Sequence, residues 1–355
     1  MNEPTQSSNN QVLVLNMRNY VAPKIIEDPS RKWINYGQNN DYFDYLLDRY
    51  RGSATNHALI NGIYQMIVGE GLDSDMKQAQ PEWFAEANAL FDYDEILKWA
   101  FDFKWGGYYI MQIIRSKDLK RIAKVKHTPV QNWRSGKADA NGKIDTMYYS
   151  DDWSKYTSPR FRPEPYPVYD PAKPTDLSIL CVKPYRAGSF YYPNVDYQGG
   201  LQYAHIEEEI SNFHINNLLN GMFPGLLVNF NNGIPEEEAR SEIENLINFK
   251  WGGSTNAGKI IVAFNDSAEN AATVVPVTPQ DLDKMFDILN TQSSEKIMIS
   301  HRVISPTLFG VRAGAGLGNN ADELRVSSIL FEETVLRLYR RQMINSFEYV
   351  LPERK

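Results

Sequence analysis

Two long stretches of helical periodicity, residues 200–222 and 279–301, each carry an unbroken polar face, and that face limits how the chain can fold. In the first, Ile206, Ile210, Phe213, Leu218, Leu219 and Met222 supply an apolar side, while Glu208, Asn212, Asn216 and Asn220 recur every four residues. In the second, Leu282, Met285, Phe286 and Leu289 turn one way and Asp283, Asp287, Asn290 and Ser294 the other. Residues three and four apart share a helix face, so each helix packs on one side and leaves the other to water or a channel. Between them lies a β-α-β-β pattern: strand 226–230, helix 235–250, strands 260–264 and 273–277. Its helix is marked by Pro235 at the first position, by Glu236, Glu237 and Glu238 at the positive end of the dipole, and by Gly252-Gly253 as the stop. Thr278-Pro279-Gln280-Asp281 has the form of a capping box at the start of the second long helix.

After Pro306 the sequence TLFGVRAGAGLGNN is a glycine-rich loop, and Asn320 with Glu323 opens a last long helix containing Leu324, Phe331, Val335, Leu338 and Phe347. A phosphate-cradling loop needs Gly-Lys-Ser/Thr at its end, or a strand before it, and here Gly318 is followed by Asn319-Asn320. The glycines instead predict a flexible loop, since a missing side chain frees the backbone angles.

The first ~40 residues are polar and predict a mobile arm or peripheral strand rather than core. From Tyr42 the pattern turns helical. Residues 56–68 repeat Leu59, Ile63 and Ile67 and end at Gly69 and Gly71; residues 94–105 form a second helix stopped at Gly106-Gly107. YYIMQIIRS and RIAKVKHTP read as strands joined around Lys117-Asp118, and DANGKIDTMYYS as a hairpin with Asn141-Gly142 at its turn. Residues 151–198, rich in Pro and Tyr, predict an extended connector followed by a short strand at 177–183. No solenoid-type repeat is present. The 355 residues, 42% hydrophobic and 23% charged, suffice for two or three structural units.

Several chemistries find no support. The single cysteine, Cys181, cannot form an internal disulfide or a cysteine-based metal site and reads as a small buried hydrophobe. His205 and His214 are nine apart, which places them on opposite faces of one helix, so only a neighbouring chain could complete a metal site there. His57, His127 and His301 lack a carboxylate at ligand spacing, and all five histidines read as structural. No nucleophile motif of the Gly-x-Ser-x-Gly or Cys-Gly-Ser-Cys type occurs, and Asp151-Asp152 reads as a solvated pair in a polar loop. TSPRFRPEPYPVYDP interleaves Arg160 and Arg162 with tyrosines, as single-strand stacking surfaces do, but its prolines and acids favour an ordered linker. A net charge of −7 disfavours a tight, static DNA binder and suits a surface that DNA slides past. No apolar run is long enough to cross a membrane, and the N-terminus lacks a signal core.

The order helix, small α/β insert, long helix, glycine-rich loop, long helix resembles the portal proteins of tailed bacteriophages. The string ISHRVISPTLFGVRAGAGLGNNADELRVSSILFEETVLRLYRRQMINSFEYVL (299–351) is similar to that family's helix, Pro-containing turn, Gly- and Asn-rich loop, acidic pair and final helix. NHALINGIYQMIVGEGL (56–72), DYDEILKWAFDFKWGGYYIMQIIR (92–115) and ISNFHINNLLNGMFPGLLVNF (210–230) look like other recurring portal segments. The resemblance covers roughly residues 50–350 and rests on order and several short strings.

It implies an α+β, portal-like fold. After the N-terminal arm (1–41) come a wing (42–198), a stem helix (199–224), a clip (225–277), a second stem helix (278–305), a tunnel loop (306–320), and a wing helix with the C-terminus (321–355). The helical crown of larger members would be absent or minimal. The tunnel loop, with Gly310, Arg312, Gly314, Gly316, Gly318 and Asn319, would line the narrowest part of the channel. The clip surface with Glu236, Glu237, Lys250 and Trp251 would meet the packaging motor and later the adaptor. The resemblance further implies a homo-oligomeric ring of about twelve subunits closed by cyclic symmetry. Its partners would be double-stranded DNA in transit, the terminase large subunit, the major capsid protein and the head-to-tail adaptor, with no membrane. No catalytic residue, metal or cofactor is implied, and the expected place is the capsid vertex of a virion assembled in a bacterial cytoplasm. On a ring-lining helix, Asp283, Asp287, Asn290 and Ser294 would face the channel, and the repeated carboxylates would repel DNA phosphates. Two other readings compete. Another head-to-tail structural or adaptor protein needs no glycine loop between long helices, and an enzyme holding a phosphate ligand at Gly310 to Gly318 would bind nucleotide saturably.

Overall fold

The helical patterns of the N-terminal half become α1 (Tyr42–Gly52), α2 (Ala54–Val68), the short α3 (Met76–Ala79), α4 (Pro81–Leu90) and α5 (Tyr93–Gly106). The structure, a computed structural model, describes residues 27–73, 76–219, 227–230, 235, 237, 261–264, 282–303, 305–309 and 321–351. Ser53 separates α1 from α2 as an N-cap. Its hydroxyl oxygen accepts the Asn56 N–H at 3.1 Å, relieving one of the unpaired donors of a helix start. At the end of α5, Gly107 holds φ at 84°, and a Cβ there would lie 3.2 Å from the Pro193 carbonyl, so both conformation and space require glycine.

Six strands follow: β1 (Tyr109–Arg115), β2 (Ile122–His127), β3 (Trp133–Ser135), β4 (Thr146–Tyr149), β5 (Glu164–Pro167) and β6 (Leu177–Val182). They form two antiparallel three-stranded sheets, ordered β2-β1-β6 and β3-β4-β5. β1 is central in its sheet and buried at Tyr109, Ile110 and Met111, which explains its continuous apolar run rather than an alternating one. The last part of the chain contains α6 (Leu201–Leu219), β7 (Leu227–Phe230), β8 (Ile261–Phe264), α7 (Leu282–Ser300), a 3-10 turn at Pro306–Phe309, α8 (Ala321–Phe331), a π turn at Glu332–Leu336 and α9 (Arg337–Val350). β7 and β8 pair in parallel, Leu227 with Ile261 through Phe230 with Phe264. A parallel pair needs a crossover, and the sequence puts helix 235–250 there. Of that helix only Pro235 and Glu237 are among the described residues, and strand 273–277 lies outside them.

Two apolar clusters hold this α+β body together. One joins α2, α5, β1 and α9 around Trp99, Phe103, Phe331 and Phe347; the other joins α1, β3 and the segment 191–201 around Phe43, Trp133 and Tyr192. Several of their polar ring atoms are paired: Trp99 Nε1 donates to Ile110 O (3.1 Å), Trp133 Nε1 to Thr128 Oγ1 (2.9 Å) and Tyr197 Oη to Trp105 O (2.7 Å). Aromatic rings bury large areas only at little cost when such partners exist.

Three expectations are corrected. Residues 27–41 are not a mobile arm: Ile34 and Tyr36 are fully buried, and Trp33 bridges Gly136. Polarity misled because the buried Arg134 satisfies this stretch, with its guanidinium bonded to the Asn40 side chain and to Asn40 O (3.2 Å). The connector 151–198 is more than linker, since its Glu164–Pro167 strand completes a sheet against β4. The last helix is interrupted by the π turn, where the sequence pattern reads as continuous. The turn at Asn141-Gly142 does form, with Gly142 at φ 78°, but the strands it joins, β3 and β4, lie farther from it than a tight hairpin would place them.

Candidate functional site at the base of the paired helices

The two long helices α6 and α7 lie side by side, with Phe213 and Phe286 stacking at a centroid distance of 4.4 Å. At the other end they approach so closely that a Cβ on Gly200 would lie 2.2 Å from Ser300 Oγ. Asp287 and Asn290 are exposed. Ser294 departs from them: it is half-buried, donates to Asn290 O at 3.1 Å and lies 3.4 Å from Thr55 Oγ1, so the polar stripe runs under α2 here instead of continuing into open space. The side chain of Asp283, the loop residues Gly310, Arg312, Gly314, Gly316, Gly318 and Asn319, and Glu236, Lys250 and Trp251 lie outside the described residues. Glu237 is exposed.

Glu207, on α6, clamps the start of α2. Its carboxylate accepts from Ser53 Oγ, from Thr55 Oγ1 at 2.7 Å and from Thr55 N at 3.3 Å, and an anion at a helix N-terminus is favoured by the dipole. The next residue, Glu208, pairs with Arg49 of α1 at 2.9 Å. Among the described residues, His205, Glu208 and Glu209 bring possible ligand atoms within 4.8 Å of one another. The Arg49 guanidinium already supplies a cation to Glu208, which opposes a metal ion there. His214 sits beside Phe213 and Phe286, away from that group, as its spacing predicts.

Below the clamp lies a buried polar knot that sequence reasoning missed. Lys104 of α5 is fully buried; its ammonium pairs with Asp196 at 2.8 Å and lies over the rings of Tyr197 (5.2 Å) and Tyr339 (5.7 Å). His301, just past α7, stacks on Tyr197 at 4.5 Å and donates from Nε2 to Asn56 Oδ1 at 2.9 Å. The Asn56 amide in turn donates to Arg49 O at 3.1 Å. The knot therefore ties α2, α5, α7 and α9 together at the foot of the helix pair. Its signal was present in FDFKWGG, where a lysine stands among aromatic residues, but nothing in the sequence showed that Asp196 would meet it.

Arg302 closes α7. It adopts φ 60°, unusual for a residue with a side chain, and the bonds Arg302 N to Ile299 O (2.9 Å) and Val303 N to Met298 O (2.9 Å) form a Schellman stop. Its side chain reaches Thr334 O in the π turn (3.2 Å) and Asp196 (3.8 Å), gains that glycine could not supply. Nearby, Arg340 of α9 donates to Ile67 O (2.8 Å) and Met66 O (2.5 Å) and pairs with Glu332, capping the carbonyl end of α2.

These environments shift protonation. Burial, with Lys104 beside it, holds the His301 imidazole well below the usual histidine value, while Lys104 keeps Asp196 low against the opposing effect of burial. With Nε2–H committed to Asn56, protonation would fall on Nδ1, which has no hydrogen-bond partner. A depressed histidine stabilises the fold above its unfolded pKa of about 6.5, and that stability is lost as pH falls below it, at no more than about 1.4 kcal/mol per pH unit. Urea midpoints taken near about pH 7.5 and about pH 5.5 should therefore drop more for the wild type than for His301→Gln, whose amide can still donate to Asn56. Equal drops would show that other groups set the acid limb. Desolvation pushes the Cys181 thiol up to about 11, the reverse of an activated nucleophile.

A contrasting surface lies on the last helices. Leu324, Val326, Ile329 and Leu330 on α8 and Leu338 and Ile344 on α9 are exposed, as are Ile288 and Ile299 on α7. Large contiguous apolar patches mark interaction sites, whereas singly exposed apolar residues are ordinary.

No family model and no curated protein matches the sequence. Solved structures do match in fold. A chain in the neck of an empty gene transfer agent particle computed with C6 symmetry aligns over 91% of this chain and 81% of its own, with a TM-score of 0.54 and 11% identity. A chain in the virion of the native particle gives 0.53, 11% identity and the same coverage. One in the neck of the native particle computed with C12 symmetry gives 0.53 and 10% identity over 91% and 80%. The chain thus shares its overall fold with chains of these gene transfer agent particles.

Proposed function

We propose that this chain is the subunit of a ring-shaped portal at the capsid vertex of a phage or phage-like particle, through which double-stranded DNA is packaged and released. The observation that carries the reading is the fold match across 91% of the chain to neck chains of particles described under cyclic symmetry. The exposed apolar residues of α7, α8 and α9 support it, because a closed ring requires each copy to bury two complementary flanks. In such a ring of about twelve copies, α6 and α7 act as the stem, with Asp287 and Asn290 repeated around the channel. Repeated carboxylates repel phosphates and keep a duplex mobile. The glycine-rich loop around Arg312 serves as the tunnel loop, and the segment with Glu236, Glu237, Lys250 and Trp251 docks the terminase large subunit and then the adaptor. The outer body meets the major capsid protein.

Negative-stain electron microscopy with mass determination tests this reading. Rings with a central hole about 20 Å wide or more, enough for a duplex, are the expected result. A homogeneous monomer or dimer that stays unassembled at high concentration would overturn it.

A further inference from the structure

The chain carries −7 overall, yet the turn between β1 and β2 concentrates charge of the opposite sign. From Arg115 to Lys126 there are six cations and one acid, a net +5, which leaves −12 on the rest of the chain. Lys117, Lys120, Arg121, Lys124 and Lys126 are all exposed. Lys126 turns to Glu95 at 3.7 Å, but no carboxylate lies within ion-pair distance of the other four among the described residues.

The tip is built to stay rigid. Ser116 N donates to Arg121 O (2.9 Å), Leu119 N donates to Ser116 O (2.8 Å), and Leu119 takes the left-handed conformation at φ 60°. Asp118, the one acid, accepts from Ser116 Oγ at 2.5 Å and from Lys120 N at 3.3 Å, and Arg115 Nη1 donates to Leu119 O at 3.2 Å. The acid thus holds the turn together. β2 is also an edge strand, so the hairpin is open along one side.

We infer that the β1–β2 hairpin is a phosphate-binding arm for duplex DNA, contacting its backbone without sequence preference through Lys117, Lys120, Arg121 and Lys124. One observation favours nucleic acid over an acidic protein surface. No large apolar side chain is exposed between residues 109 and 129, whereas protein interfaces are anchored by buried apolar and aromatic residues. The net charge does not oppose this, since phosphate contacts are local and the repulsive −12 is spread over the remaining surface. The inference goes beyond the ring reading and does not depend on ring closure.

The test uses the full chain, a labelled mixed-sequence duplex of roughly 30 base pairs, and fluorescence anisotropy over a series of salt concentrations. Four phosphate contacts should give a slope of log K against log salt of about −3 to −4. In K117Q/K120Q/R121Q/K124Q, which leaves the turn bonds and Lys126 in place, the slope should shrink by about three and low-salt affinity should fall at least about tenfold. Circular dichroism checks that this surface variant stays folded. If the variant binds like the wild type, DNA is held elsewhere and the inference fails. It also fails if the wild type does not bind duplex at all; in that case, capture of the wild type but not the variant by poly-glutamate would mark the hairpin as a dock for an acidic protein. Electron microscopy reads ring closure separately, so either result can fail without the other.

Discussion

Asp196→Ala should lower the stability of the folded chain by about 3–5 kcal/mol, because it leaves the Lys104 ammonium buried without its counter-ion. Lys104 has no exposure, and its surroundings are the rings of Tyr197 and Tyr339 and the indirect charge of Arg302, none of which can neutralise it. Burial and the neighbouring cation already pull the Lys104 pKa down, and with Asp196 removed the ammonium has to shed its proton or draw in water, and either response loosens α5 from α9. The same physics predicts a partial rescue. Lys104→Met with Asp196→Leu removes both charges together and should recover most of the loss, since replacing a buried pair with apolar residues of similar volume is often close to neutral. Urea unfolding at constant m-value measures both. A single-variant loss under about 1 kcal/mol would mean that water already reaches Lys104. Failure of the double variant to recover would show that the pair's hydrogen bonds, rather than its charges, hold the knot.

The parts of this molecule that follow from local rules were legible in the sequence. Glycine stops at Gly69 and Gly107, the strands 109–115 and 122–127, and the two long helices each depend on residues within one or two turns. What was not legible depends on partners far apart in the chain. Residues 27–41 look like a polar arm until Arg134, about a hundred residues on, supplies the guanidinium that satisfies Asn40 and lets Tyr36 stack on Tyr192 at 4.5 Å. Ser294 matches the polar stripe of α7 by spacing, and only the approach of α2 turns it inward. The π turn at 332–336 is silent in the pattern because apolar residues remain on the buried side across it: Phe331, Val335 and Leu336 are all buried. Its effect appears only in contacts, where the carbonyl of Thr334 becomes available to Arg302 and Glu332 meets Arg340. The basic hairpin was visible as RSKDLKRIAKVK but was read for its strands and not for its charge.

The last helix offers the second large effect. Phe347→Ala should cost about 3–5 kcal/mol. The ring is 4% exposed, stacks on Phe91 at 4.4 Å and lies 5.8 Å from Trp99, so it ties α9 into the aromatic centre of the main core. Tyr339 and Met343 precede it at intervals of four, which places all three on one face, and loss of the ring removes an aromatic anchor from that buried stripe. Phe347 also borders an apolar cleft of about 390 Å³ between α4 and α9, and truncation would enlarge that cleft where the helices cannot collapse to fill it. Leu338 on the same helix is the contrast, being 54% exposed. Leu338→Ala should change the stability of the isolated chain by no more than about 0.5 kcal/mol. In the proposed ring it should weaken assembly, because an exposed leucine on a subunit flank contributes only when a neighbour covers it. Thermal unfolding and mass measurement on the two variants separate these roles. Phe347→Ala should lower the melting temperature at every concentration, while Leu338→Ala should shift only the concentration at which rings form. The reverse pattern would place the subunit interface at the α4–α9 cleft and remove the exposed face of α8 and α9 from the assembly.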